Sequence, residues 1–161
     1  MNAPVAAKTV ARSLLLVGLV VAGESLTMAT ADDSVYRSRA EVGILVSSLV
    51  KPSIGYWWGR TGLRVSGMHW NEGHYEYHVN LGYALWDANN IQHGINLLTS
   101  WVAGSDPGAD YRYASTGVAY SINYKGFFVE LGLAHPWRDE LGNLERETVI
   151  PCGYWGYLYR F

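Results

Sequence analysis

From His74 to Trp86 the chain alternates: Tyr75, Tyr77, Val79, Leu81, Tyr83 and Leu85 share one face, and His74, Glu76, His78, Asn80, Gly82 and Ala84 the other. Successive side chains of an extended backbone point to opposite sides, so this period of two predicts a strand. Ile91 to Ala103 repeats it, with Ile91, Ile95, Leu97 and Trp101 opposing Gln92, Gly94, Asn96 and Ser100, and with His93, Leu98, Thr99 and Val102 as departures. From Thr116 to Tyr124, Val118, Tyr120, Ile122 and Tyr124 oppose Gly117, Ala119, Ser121 and Asn123. Phe127, Val129, Leu131 and Leu133 oppose Phe128, Glu130, Gly132 and Ala134, and at the end Trp155, Tyr157, Tyr159 and Phe161 oppose Tyr154, Gly156, Leu158 and Arg160.

The links carry turn chemistry: Gly59 to Thr61, Asn71-Glu72-Gly73, Asp87 to Asn90, Ser105 to Asp110 with Pro107-Gly108, and the two-residue Lys125-Gly126. Only the linker from Arg138 to Thr148 is long. Glu41 to Trp58 reads as two strands divided at Pro52, because single-chain bacterial barrels have even strand numbers. One long strand bulged at Pro52 is the alternative. The expected fold is all-β: a closed antiparallel up-and-down transmembrane β-barrel of eight strands, filling residues 32–161 as one domain.

Arg64, Glu76, His78, Glu130 and Arg160 fall on the polar side and are expected to form a buried charged network, with Gly82, Gly117, Ala119 and Gly132 leaving room. Trp70, Trp86, Tyr124 and Trp137 stand beside turns, where aromatic girdles meet the two membrane surfaces.

The first 31 residues differ in kind. Lys8 and Arg12 precede an apolar run from Leu14 to Gly23 and a small-residue stretch ending Ala29-Thr30-Ala31, the order of a secretory signal peptide. The run is about half the ~20 residues of a spanning helix. Removing residues 1–31 leaves ten basic and thirteen acidic side chains, a balance that does not favour nucleic acid. All seven Trp, twelve Tyr and three Phe stay in the mature part, as does the single Cys152, which has no partner for an internal disulfide.

The segment Gly153-Tyr154-Trp155-Gly156-Tyr157-Leu158-Tyr159-Arg160-Phe161 resembles the terminal strand of bacterial outer-membrane barrels, and in size and patterning the whole chain resembles the small OmpA/OmpX type. The resemblance implies recognition by the barrel-assembly machinery through Tyr157, Tyr159 and Phe161, a C-terminus facing the periplasm, and outer-membrane lipids as surroundings.

Candidate chemistry is sparse. His74, Glu76 and His78 at i, i+2 and i+4 could turn two imidazoles and a carboxylate toward one metal ion, but no second ligand cluster accompanies them, and polar lining explains the same spacing. Asp106 to Asp110 reads as a Pro-Gly turn, not a calcium loop, and Asp139 to Glu147 as a solvated acidic loop. No cofactor motif is present. The leading expectation is a non-enzymatic outer-membrane barrel with a structural, envelope or surface-binding role for an unidentified ligand. Because periodicity does not say which face is inside, two others stay open: an outer-membrane lipid-modifying enzyme of the lipid A deacylase or acyltransferase kind, and a soluble periplasmic lipocalin-like barrel with its apolar face inward.

Overall fold

The computed structural model describes residues 38–71, 73–88, 90–106, 109–140 and 147–161. The expected signal peptide and the Pro107-Gly108 turn lie outside them. The strands are β1 (Arg39–Val46), β2 (Val50–Trp58), β3 (Thr61–Asn71), β4 (His74–Ala88), β5 (Ile91–Asp106), β6 (Ala109–Tyr124), β7 (Phe127–Glu140) and β8 (Ile150–Arg160). Each pairs antiparallel with its sequence neighbour, and β8 returns to β1, closing an eight-stranded up-and-down barrel. The ring is sealed where Phe161 and Ala40 exchange backbone hydrogen bonds of 3.0 and 2.9 Å. Closure leaves no unpaired strand edge, which is how an all-β chain satisfies its backbone without help from solvent.

Two ends can be named from the chain. The terminus end carries Arg39, Phe161 and the tight turns, among them Lys125-Gly126, whose φ values of 50° and 95° are the two positive angles of a type I′ hairpin. The far end carries the turn 47–49 and the links after β3, β5 and β7. The strands reaching it are unequal: β1 has 8 residues, whereas β5 and β6 have 16 each, so the wall is tallest on that side.

The division at Pro52 is corrected. The first hairpin turns at residues 47–49, with Val46 opposite Val50, and Pro52 stands inside β2 opposite Ile44. Its missing N–H is tolerated because the β2–β3 ladder starts one residue later, at Ser53 opposite Ser66. The strands also outrun their expected bounds at the far end, β5 to Asp106, β6 from Ala109 and β7 to Glu140, so Arg138 belongs to a strand and not to the long link.

Three bulges interrupt the ladders among the described residues, and a tryptophan sits at each. Trp70 is the extra residue between His69 and Asn71, Leu85 precedes Trp86 at the second, and Trp137 is the extra residue opposite Ala114 and Ser115. A bulge puts two consecutive side chains opposite one and resets the alternation beyond it. Trp86 is thereby turned outward to stack on His93 at 4.7 Å, and Trp137 lies over Thr116, to which its Nε1 donates at 3.2 Å.

Candidate functional site

The polar faces of the strands point into the barrel. Side chains buried there include Glu41, Lys51, Arg64, Glu76, His78, Asn80, Asn96, Ser100, Ser121 and Glu130. With them is an apolar cluster of Leu45, Leu98, Phe128, Tyr154 and Leu158, against which Cys152 packs. The departures Leu98 and Val102 in β5 are therefore inward residues, both buried. A ring of eight strands encloses a space that side chains can fill.

The charges form two centres. Toward the terminus end, Glu41 takes Arg64 Nε at 2.6 Å on one oxygen and Arg160 Nε at 3.1 Å on the other. Arg64 lies over the Phe128 ring at 4.3 Å and reaches 4.0 Å from Glu130, while Arg160 lies over Trp57 at 5.7 Å. Asn80 donates to both oxygens of Glu130, at 2.9 and 2.8 Å. Toward the far end, Glu76 receives Lys51 Nζ at 2.7 Å, the Ser47 and Ser48 hydroxyls at 2.5 and 2.9 Å, the Leu49 N–H at 3.3 Å and His78 Nε2 at 2.6 Å. Lys51 Nζ also bonds Ser47. The first hairpin turn is thus tied down onto a buried carboxylate. Tyr154 stands between the centres: its hydroxyl receives Asn80, and its ring lies 5.3 Å both from His78 and from Lys51 Nζ.

Arg64, Glu76, His78, Glu130 and Arg160 all line this interior, divided between the two centres. Glu41, Lys51, Asn80 and Tyr154 complete them without having been singled out in the sequence. Lys51 was hidden by its place beside Pro52, and Glu41 by the mixed apolar run that follows it. His74 does not join Glu76 and His78, whose bonding groups are taken up as described, and no group of three metal-binding side chains gathers among the described residues.

One arrangement has the order of a hydrolytic relay. His78 Nε2 faces the Glu76 carboxylate and so carries the proton, leaving Nδ1 to accept from the Ser100 hydroxyl at 2.7 Å. All three side chains are nevertheless buried beneath the Ser47–Leu49 turn, and Glu76 is shared with Lys51. Ser100 sits mid-ladder between β4 and β6, where neighbouring backbone N–H groups are committed to strand pairing and are not free to hold an oxyanion.

The outer surface has the opposite composition. Val42, Ile44, Ile54, Leu63, Val65, Val79, Leu81, Ile95, Leu97, Val118 and Leu133 form an exposed aliphatic belt over β1 to β7, and the exposed Trp155 stands at its level on β8. Tyr56, Trp58, Tyr83, Tyr120, Tyr124, Phe127, Tyr157, Tyr159 and Phe161 border it at the terminus end, and Trp70, Tyr77, Trp101 and Trp137 at the far end. Of the expected girdle residues, Trp86 and Tyr124 fall at the first border and Trp70 and Trp137 at the second. A scan against protein-family models and searches of curated proteins and of solved structures find no match to this chain.

Proposed function

We propose that this chain is an outer-membrane β-barrel with a non-enzymatic role, in envelope structure or in binding at the cell surface, exported by its first 31 residues and inserted by the barrel-assembly machinery. One observation carries the reading: a closed barrel with an ionic interior and, outside, an apolar belt, aliphatic on β1 to β7 and carried by Trp155 on β8, between two aromatic borders. Water penalises such a surface, whereas hydrocarbon flanked by headgroups suits it. The terminal aromatics Tyr157, Tyr159 and Phe161, all exposed in one outward row, support recognition by the assembly machinery. On this reading the terminus end lies in the periplasm and the far end outside.

The lipocalin-like alternative requires an apolar lining around a ligand cavity, and an interior holding Glu41, Lys51, Arg64, Glu76 and Glu130 counts against it. The enzyme alternative requires groups converging beside a lipid-facing groove, and the inward burial of Ser100 and His78 counts against it. The test is to fractionate Gram-negative cells expressing the untagged full chain and to run the outer membranes on a gel with and without boiling. Enrichment in that fraction, with a folded form that migrates faster before boiling, is the expected outcome. Release with the soluble periplasm overturns the reading.

A further inference from the structure

At the far rim the outward face of β6 and β7 is graded in polarity. Lowest are Val118 and Leu133, cross-strand partners and both exposed. Above them Thr99, Thr116 and His135 lie opposite one another across β5, β6 and β7. Thr99 and Thr116 share a hydrogen bond of 3.2 Å, and His135 Nδ1 donates to the Thr148 carbonyl at 2.7 Å, leaving Nε2 outward. Higher still stand Trp101 and Trp137, and then Arg112 and Arg138.

The bulge fixes the orientation of the arginines. Before it, odd-numbered residues of β7 face outward; at it Trp137 and Arg138 both oppose Ala114, so Arg138 and Glu140 face outward beyond it. Arg112 stands between Tyr111 and Tyr113, which stack on each other on the other face at 6.2 Å. Because Arg112 opposes Glu140, Arg138 is its diagonal neighbour, with Cβ atoms roughly 7 Å apart, close enough for two guanidinium groups to grip one tetrahedral anion. Glu140 lies 3.9 Å from Arg138, both side chains being well exposed, and Asp110, two residues before Arg112 on the same outward face of β6, is a second exposed carboxylate at the rim, on the side of Arg112 away from Arg138. The other basic side chains among the described residues are interior (Lys51, Arg64, Arg160) or belong to the terminus end (Arg39, Arg60, Lys125).

We propose that this strip of β6 and β7 holds a phosphomonoester-bearing lipid of the outer leaflet, its phosphate gripped by Arg112 and Arg138 and its acyl chains lying on Val118 and Leu133. Aliphatic, hydroxyl-imidazole and guanidinium tiers follow the order of acyl chain, ester region and phosphate in such a lipid. Guanidinium pairs phosphate through two parallel hydrogen bonds, which an ammonium cannot reproduce. The inference rests on the membrane reading above, which orients the rim.

The test reconstitutes the full mature chain into phosphatidylcholine vesicles containing a minor fraction of phosphatidic acid, and counts lipid retained on the barrel by native mass spectrometry. Phosphatidic acid is expected about ten-fold over its share of the vesicle, the effect of about one charge-assisted hydrogen bond. R112Q/R138Q is expected to return it to the bulk share, R112K/R138K to fall between, and K125Q, at the other end, to match the wild type. Retention in bulk proportion by the wild type, or undiminished retention by R112Q/R138Q, overturns the proposal. Displacement of the lipid by millimolar inorganic phosphate also overturns it, in favour of a free-anion site. Should R112Q/R138Q fail to fold, the lysine pair alone decides: retention equal to wild type rejects the guanidinium grip. Failure of the wild type to insert into pure phosphatidylcholine, seen as loss of heat-modifiable migration, rejects the membrane reading itself and the inference with it.

Discussion

Glu76 holds a lysine, a histidine, two hydroxyls and a backbone N–H in one buried place. Removing one partner of a buried ion pair strands the other charge, at about 3–5 kcal/mol, whereas removing both costs less than the sum. Lys51→Met alone is therefore expected to destabilise the barrel by that amount in reversible urea unfolding. E76Q/K51M is expected to recover a substantial part of the combined single-variant losses, and strictly additive losses would show that the pair is not coupled. Much of this interior was legible from period alone: Glu76, His78, Arg64, Glu130 and Arg160 alternate with apolar neighbours, so their common side follows from strand geometry. Lys51 was not, because a proline next to it reads as a turn. By period Phe128, Tyr154 and Leu158 already fall on the side of Glu130 and Arg160, while Leu98, in phase with Asn96 and Ser100, departs from them in residue type. Residue type alone favours the apolar face for such side chains, yet a narrow lumen without solvent must be filled, and rings and leucines fill it among the charges.

Among elements, the bulges do work that alternation cannot express. Trp86 falls in phase with Ala84, which is buried inside, but Leu85 intervenes as an extra residue and turns the indole outward onto His93. Alternation alone does not mark such an insertion: Pro136 stands at the β7 bulge and Gly94 opposite the β4 bulge, and what pointed to the tryptophans was their position beside turns. The geometry predicts an asymmetry between single-residue deletions. Deleting Trp137 removes only the extra residue and leaves both halves of β7 in phase, so a heat-modifiable barrel should still form, losing about 1–3 kcal/mol of apolar burial. Deleting Val129 shifts one half of β7 by one residue, which turns every side chain there to the other face. Glu130 or the residues beyond it would then meet the wrong environment, and no folded band is expected on the gel. Equal tolerance of the two deletions would show that β7 is not held in this register.

For the whole molecule, the eight-strand closure could be read from patterning, but the placement of its first turn and the sidedness of the wall could not. Period two gives two faces without saying which encloses the other; that follows only once β8 meets β1 and the buried set is seen to be ionic. The surroundings of the outer face then become a question of energy, and Leu81 can decide it. It lies mid-belt with 48% of its surface exposed, between Val79 and Tyr83, whereas Trp70 stands at the far rim, 75% exposed. In hydrocarbon an arginine on the lipid face of a barrel costs about 2–4 kcal/mol at the midplane and about 0–1 kcal/mol near the interface. In water an exposed substitution of this kind usually changes stability by no more than about 0.5 kcal/mol wherever it stands. Leu81→Arg is accordingly expected to lower the unfolding free energy of the vesicle-inserted protein by about 2–4 kcal/mol and Trp70→Arg to change it little. Both effects should be read from urea titrations of tryptophan emission, using Trp70→Leu to correct for the lost fluorophore. A depth-dependent penalty requires a medium with depth, so a belt lying in bilayer separates the two variants, and a belt facing water leaves them alike.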